Sequence, residues 1–220
     1  MLDKVIIDML IEGTVATLYM TLVSTLFGYL FGLPMGIVLA VTDREGIKPN
    51  GIIYKILDFI VNLMRSIPFL ILLILVMPVT KALVGKTYGS TATIVPLTIA
   101  AAPFIGRMVE SSLKEVDKGV IEAAQSMGAG TFTIIRKVLL AEARTSLLVG
   151  VTIAVGTIFG YSAMAGVIGG GGLGDIAIRY GYYRYESDIM FVTIIILVVL
   201  VQILQGLGMM LSKKLDRRHM

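Results

Sequence analysis

The sequence predicts an all-α membrane protein with five transmembrane helices, and two observations lead to that prediction. Hydrophobic residues make up 56% of the 220 residues, and the mean hydropathy is +0.90. A helix needs about 20 mostly apolar residues to cross a bilayer, and five such stretches can be drawn along the chain. We therefore expect one transmembrane domain over residues 1–220, without a separate globular unit.

The five spans are separated by polar or charged segments. We place them at about residues 14–41, 56–77, 91–109, 146–168 and 189–211. The second is the most polar, because Lys55, Asp58, Asn62 and Arg65 recur in it at helical spacing. That pattern is also typical of an amphipathic helix that begins in the membrane interface, and Pro68 is suited to the first turn of a new helix.

The basic residues predict the orientation of the bundle. Thirteen of them follow the first, third and fifth spans: Arg44, Lys48, Lys55, Arg107, Lys114, Lys118, Arg136, Lys137, Arg144, Lys213, Lys214, Arg217 and Arg218. Five lie on the other side: Lys4, Lys81, Lys86, Arg179 and Arg184. Because cytoplasmic loops are enriched in Lys and Arg, we expect the N-terminus outside and the C-terminus in the cytoplasm. The net charge of +4 is explained by this distribution, so it does not indicate that the protein binds nucleic acid.

The long loop of about residues 110–145 has its own helical pattern. Its apolar residues fall on one helical face: Val116, Val120, Ala123 or Ala124, and Met127. The run from Gly128 to Gly130 interrupts this pattern, and Phe132, Ile135 and Leu139 resume it. The loop is therefore predicted to form a helix, a glycine turn and a second helix on the cytoplasmic side.

The spacing of residues in this loop closely resembles the EAA loop of ABC importer permeases. Glu122, Ala123 and Ala124 are followed after three residues by Gly128, and after nine more by Val138, with Leu140 two positions later. The family pattern has isoleucine at Val138 and proline where this chain has Ala141. The resemblance predicts the permease fold and a coupling helix that fits a groove in a separate ATPase.

A second block resembles the permeases of methionine importers. It runs from Tyr161 to Ile168 and continues through the glycine run at 169–172, Leu173 to Asp175 and Ala177 to Tyr182. Earlier in the chain, Arg65-Ser66-Ile67-Pro68-Phe69 also resembles these permeases. This resemblance implies a methionine importer, of D- and/or L-methionine, in the inner membrane of a bacterium. We interpret the glycine run as a flexible, close-packing turn. Tyr161 and Met164 are the candidates for lining the pathway, because a methionine thioether is soft and unbranched.

The resemblance also implies partners. Two copies of the chain would form the pathway, two ATPase subunits would bind ATP and Mg²⁺, and a lipid-anchored or periplasmic protein would deliver the cargo. The sequence lacks the G-x-x-x-x-G-K-[ST] pattern that cradles nucleotide phosphates. It also lacks cysteine, which removes thiolate metal sites and nucleophiles. We therefore predict no catalytic residue, no metal site and no cofactor in this chain.

Three alternatives remain open from the sequence. The chain could be an importer permease for another amino acid or small nutrient. A membrane-embedded enzyme would need paired carboxylates, histidines or metal ligands facing the bundle interior, and the spans contain almost none. A passive channel would leave the EAA-type loop unexplained.

Two spans contain glycine at every fourth position. These glycines are Gly28, Gly32 and Gly36 in the first span, and Gly156 and Gly160 in the fourth. The spacing predicts close helix packing, either within one subunit or at a dimer seam.

Overall fold

The structure, a computed structural model, describes residues 4–215, and within that range it is helical with no strand. The helices are α1 Lys4–Thr42, α2 Gly51–Ser66, α3 Phe69–Leu75, α4 Met77–Val84, α5 Ser90–Lys114, α6 Lys118–Ser126, α7 Thr131–Ile134, α8 Leu140–Glu142, α9 Arg144–Ala165, α10 Gly172–Ile176 and α11 Ser187–Leu215. A π-helical segment, Ile135–Leu139, joins α7 to α8, and another, Ala177–Tyr182, extends α10. The all-α prediction is confirmed.

Four helical stretches among the described residues are long and apolar enough to cross a membrane. They are Lys4–Thr42, Ser90–Lys114, Arg144–Tyr182 and Ser187–Lys214, which correspond to the first, third, fourth and fifth predicted spans. A fifth is obtained if α2 and α3 are taken together as one bent span. Arg217 and Arg218, which were counted in the prediction of the orientation, lie outside the described residues.

The second predicted span is not one continuous helix. Asn50 caps α2 by accepting hydrogen bonds from the amides of Ile52 and Ile53, so the helix begins before the predicted position 56. It ends at Ser66, and α3 leaves at an angle of 104°. Ile67 is extended, as expected for a residue before proline, and Pro68 precedes the first turn of α3. The polar, amphipathic first half of this region is therefore a separate helix.

The glycines of α1 allow its closest packing, which is with α5. A Cβ atom at Gly28 would lie 2.8 Å from Ala101 Cβ, and one at Gly32 would lie 2.7 Å from the carbonyl oxygen of Ala102. At Gly36 it would overlap the carbonyl oxygen of Gly106. This part of the glycine pattern therefore packs inside one subunit. A dimer seam is not needed to explain it.

The glycine run at 169–172 and the residue after it are hydrogen-bonded to neighbouring helices and to the residue that caps α5. The amide of Gly89 donates to the carbonyl oxygen of Gly169 at 2.9 Å, and Thr93 Oγ1 donates to that of Gly170 at 3.2 Å. The amide of Leu173 donates to Thr17 Oγ1 at 2.8 Å. The predicted close packing is present. These bonds tie the turn between α9 and α10 to α1 and α5, so it is an ordered joint of the bundle rather than a flexible turn.

Candidate functional site

The loop between α5 and α9 forms a helix–turn–helix, as its pattern predicts. Asp117 caps α6 by accepting a 2.7 Å hydrogen bond from the amide of Gly119. At the other end Gly128 has φ +78°, a conformation that side chains disfavour. This turn lets the amide of Ala129 donate to the carbonyl oxygen of Ala124 at 3.1 Å, which closes the helix in the manner of a Schellman motif. Gly128 is therefore required by the backbone of the turn.

The structure brings the six predicted coupling residues into this one element but divides them between two surfaces. Glu122, Ala123 and Gly128 are exposed, whereas Ala124 is buried. Val138 and Leu140 are half-buried and pack against the core. Ala141, at the position where the family pattern has proline, is helical and exposed, and only Ala143 separates α8 from α9.

The structure decides which residues of the apolar set predicted for the first helix of the loop meet the core. Only Val116 and Ala124 of that set point into the core. Val120 is exposed, and Met127 and Phe132 are exposed by 82% and 75%. We call the exposed set of Val120, Ala123, Met127 and Phe132 the docking patch. Large side chains this exposed on a polar loop are typical of a surface that another protein covers.

A cleft of about 240 Å³ lies between the end of α1, the end of α5 and α6. The cleft is lined by the apolar side chain of Leu139 and by polar side chains that include Asp43, Lys118, Glu122 and Gln125. Lys118 pairs with Glu45 across its mouth, but both side chains are mostly exposed. Glu122 lines this cleft and is exposed, and its charge contributes to the raised pKa of Lys118, whose main cause is the hydrogen bond to Glu45.

A buried carboxylate that sequence analysis had not assigned to any task organises the neighbouring helices. Glu110 is only 2% exposed. It accepts hydrogen bonds from Arg107 at 2.6 Å, from Lys114 at 2.8 Å and from the hydroxyl of Tyr54 at 3.2 Å. Because Tyr54 belongs to α2, this carboxylate joins α2 to the cytoplasm-facing end predicted for α5.

The cations on Glu110 extend the network along α2 and to the segment that follows α1. Arg107 also contacts Asp58 and donates to Asn62 Oδ1 at 3.0 Å, both on α2. Lys114 pairs with Asp43, just after α1, at 2.9 Å. The Lys114 ammonium holds the pKa of the Asp43 carboxyl below its usual range. A carboxyl with a lowered pKa stabilises the fold above its unfolded-state pKa, and this contribution is lost as the pH falls through the lowered value.

The change Glu110→Ala is expected to destabilise the chain by about 1–3 kcal/mol, since it leaves Arg107 and Lys114 with one carboxylate partner fewer in a partly buried place. Thermal denaturation of the protein in detergent measures this. Glu45→Ala is the matched control, because the Glu45–Lys118 pair is mostly exposed and such pairs contribute little. Equal melting temperatures for Glu110→Ala and the control would refute the prediction that Glu110 stabilises the fold.

The two predicted pathway residues lie on α9, one turn apart. Met164 is 48% exposed and shares an outward row with Ile153 and Gly160, which is also exposed. Tyr161 is half-buried, and its ring stacks on Phe69 with centroids 4.5 Å apart and an angle of 3° between the planes. Phe69 is a residue whose contact with Tyr161 sequence analysis missed. The sequence feature that could have drawn attention to Phe69 is its position next to Pro68, in the segment that resembles the importer permeases.

No group of three or more His, Cys, Asp and Glu side chains within residues 4–215 is arranged to hold a metal ion. The fold and the loop define a polytopic membrane protein with exposed apolar side chains on the helix–turn–helix between α5 and α9. The profile of the family of binding-protein-dependent transport system inner membrane components matches residues 32–217. The chain belongs to this family, which confirms the resemblance of the Glu122–Leu140 loop to importer permeases.

Individual relatives match over nearly the whole chain. A probable D-methionine transport system permease protein of Vibrio cholerae is 51% identical, covering 96% of this chain and 94% of its own. A methionine import system permease protein of Bacillus subtilis is 47% identical, covering 94% and 93%. Among solved structures, inward-facing MetNI methionine ABC transporter contains a chain that superimposes with a TM-score of 0.96 at 45% identity, covering 98% of this chain and 100% of that one.

Proposed function

We propose that this chain is the permease subunit of an ATP-driven importer that carries methionine across the inner membrane of a bacterium. The observation that carries the proposal is the helix–glycine–helix loop with its exposed docking patch. It stands in a chain that is 45–51% identical to the methionine permeases just named over nearly its whole length. The permease performs no chemistry itself, and ATP with Mg²⁺ is bound by a separate ATPase.

The proposed assembly contains two permease chains and two ATPase subunits. Each ATPase receives one α6, with the docking patch filling an apolar groove and Glu122 meeting a cation. The N-terminus of the permease lies outside and its C-terminus in the cytoplasm. The basic loops support this orientation, and so does the docking patch, which must face the compartment that holds ATP. A lipid-anchored or periplasmic binding protein delivers methionine from outside.

Transport proceeds by alternating access between inward-open and outward-open arrangements of the two permease chains. ATP shifts the equilibrium because the closed ATPase pair holds the two α6 helices in a geometry that only one arrangement permits. The Gly128 turn and the packed residues Val138 and Leu140 make the loop stiff enough to pass this movement on. The ion network around Glu110 then connects the end of α5 to α2.

The pathway follows the exposed row of α9. Met164 and the half-buried Tyr161 contribute a thioether and an aromatic surface, which suit an unbranched thioether cargo. The row contains few polar groups for the charged ends of an amino acid, so the delivery protein supplies most of the selectivity. The opposing row of the second chain would complete the pathway.

The proposal is tested on the complex of this chain with its ATPase and binding protein in liposomes. D- and L-methionine are each expected to stimulate ATP hydrolysis or uptake, whereas leucine and other amino acids are not. The competing function, a permease for another small nutrient, predicts the opposite ranking. Uptake that continues without nucleotide would instead indicate a channel, and failure of the chain to copurify with any ATPase would refute the importer.

A further inference from the structure

We propose that Phe69 is a positioning residue, which holds the Tyr161 ring so that its free face lines the cargo pathway. This inference rests on the proposed function, because it assigns Tyr161 to that pathway. Its basis is the parallel stack between the two rings, 4.5 Å from centroid to centroid. The stack joins residues 92 positions apart in the sequence, from α3 and α9.

Phe69 is well placed to fix another ring. It is 7% exposed and begins α3, a helix whose side chains Leu72 and Leu73 are also buried. Pro68 precedes it with φ −56°, and the 104° bend between α2 and α3 directs the ring toward α9. Because Phe69 is buried in the core cluster, its ring has little room to turn away from Tyr161.

Tyr161 lies at the boundary between the buried and exposed faces of α9. Its neighbour Ser162 is fully packed, and Met164, three residues on, is half exposed. Phe69 covers one face of the tyrosine ring, so the stack sets the ring plane, and the exposed part of this half-buried side chain lies away from Phe69. An aromatic face in that position attracts both a thioether and an ammonium group, the two groups at opposite ends of a methionine.

The stack also ties the pathway to the cytoplasmic ion network. Helix α2 is bound to α5 through Asp58, Asn62 and Tyr54, and Phe69 follows the end of α2 after three residues. If α3 moves together with α2, a movement relative to α9 carries the Tyr161 ring with it or separates the two rings.

The test is a double-mutant cycle in the reconstituted complex, with methionine uptake expressed per assembled complex. Phe69→Leu is expected to lower the uptake rate about three- to tenfold, the range for loss of one aromatic stack. Phe69→Tyr, which retains a ring, is expected to stay within about twofold of the unchanged protein. In a Tyr161→Leu background, Phe69→Leu is expected to add no further loss. Phe59→Leu is the matched control, because Phe59 is an exposed ring on α2.

The outcomes separate this inference from the proposed function. If the unchanged complex carries methionine but the Phe69 and Tyr161 losses multiply, the positioning role is overturned and the importer stands. The same holds if Phe69→Leu changes only the amount of assembled complex and not its rate. If the unchanged complex does not carry methionine, the proposed function fails, and the inference about its pathway fails with it.

Discussion

The change Ala123→Arg is expected to abolish ATP-driven uptake, with a rate at least about 100-fold lower, while the protein remains folded in the membrane. Ala123 is exposed in the middle of the docking patch, so its replacement creates no clash inside the chain. In an assembled complex an arginine there would place a long charged side chain in the apolar contact with the ATPase, where unpaired buried charge is strongly unfavourable. Uptake by proteoliposomes and copurification with the ATPase measure the two parts of this result.

Two further variants define the surface. Ser111→Arg adds the same side chain at an exposed position near the predicted cytoplasmic end of α5 but outside the docking patch, and it is expected to transport normally. Arginine at Gly128 is expected to abolish uptake for a second reason, since the turn needs φ +78° and a side chain there costs about 1–2 kcal/mol. Normal uptake by both Ala123→Arg and Gly128→Arg would refute the docking role of the loop.

The change Gly36→Val is expected to destabilise the chain by more than about 3 kcal/mol and to prevent accumulation of folded protein. A Cβ atom there overlaps the carbonyl oxygen of Gly106 and lies 2.6 Å from Val109 Cβ. These atoms belong to the facing helix, so relief requires α1 and α5 to separate, and overpacking of this kind exceeds the usual 1–3 kcal/mol. The melting temperature in detergent and the yield of monodisperse protein measure the effect.

Gly160→Val is the matched control for the packing argument. The same fourfold spacing marks both positions, yet a Cβ atom at Gly160 meets nothing within 4 Å in the chain. We expect its melting temperature to stay within about 2 °C of the unchanged protein, which corresponds to less than about 1 kcal/mol. If Gly36→Val were equally harmless, the close contact of α1 with α5 would not be a determinant of stability.

Physical patterns in the chain were enough to predict its class. Apolar length located the four long spans, because a bilayer imposes nearly the same requirement on every helix that crosses it. The spacing from Glu122 through Gly128 to Leu140 predicted the permease family, which the match over residues 32–217 confirms. The break at Pro68 was signalled by composition, although the size of the bend was not.

The sequence pattern could not predict which apolar residues of the first loop helix are buried. Periodicity groups Val116, Val120, Ala124 and Met127 without saying which of them meets the core. The answer depends on where α5, the π-helical segment at Ile135–Leu139 and the end of α1 stand around α6. With those neighbours in place, Val116 and Ala124 are buried and Met127 is exposed.

The sequence by itself therefore determined the all-α membrane class, the apolar spans and the helix–glycine–helix loop, since these depend on local composition and spacing. Only the tertiary structure decided which distant residues meet. Asp43, Tyr54, Asp58 and Glu110 are joined in one network through Arg107 and Lys114, and Phe69 stacks on Tyr161. The physical reason is that hydrogen bonds, ion pairs and ring stacks require atoms within a few ångströms of one another, and helix packing rather than local pattern sets those distances.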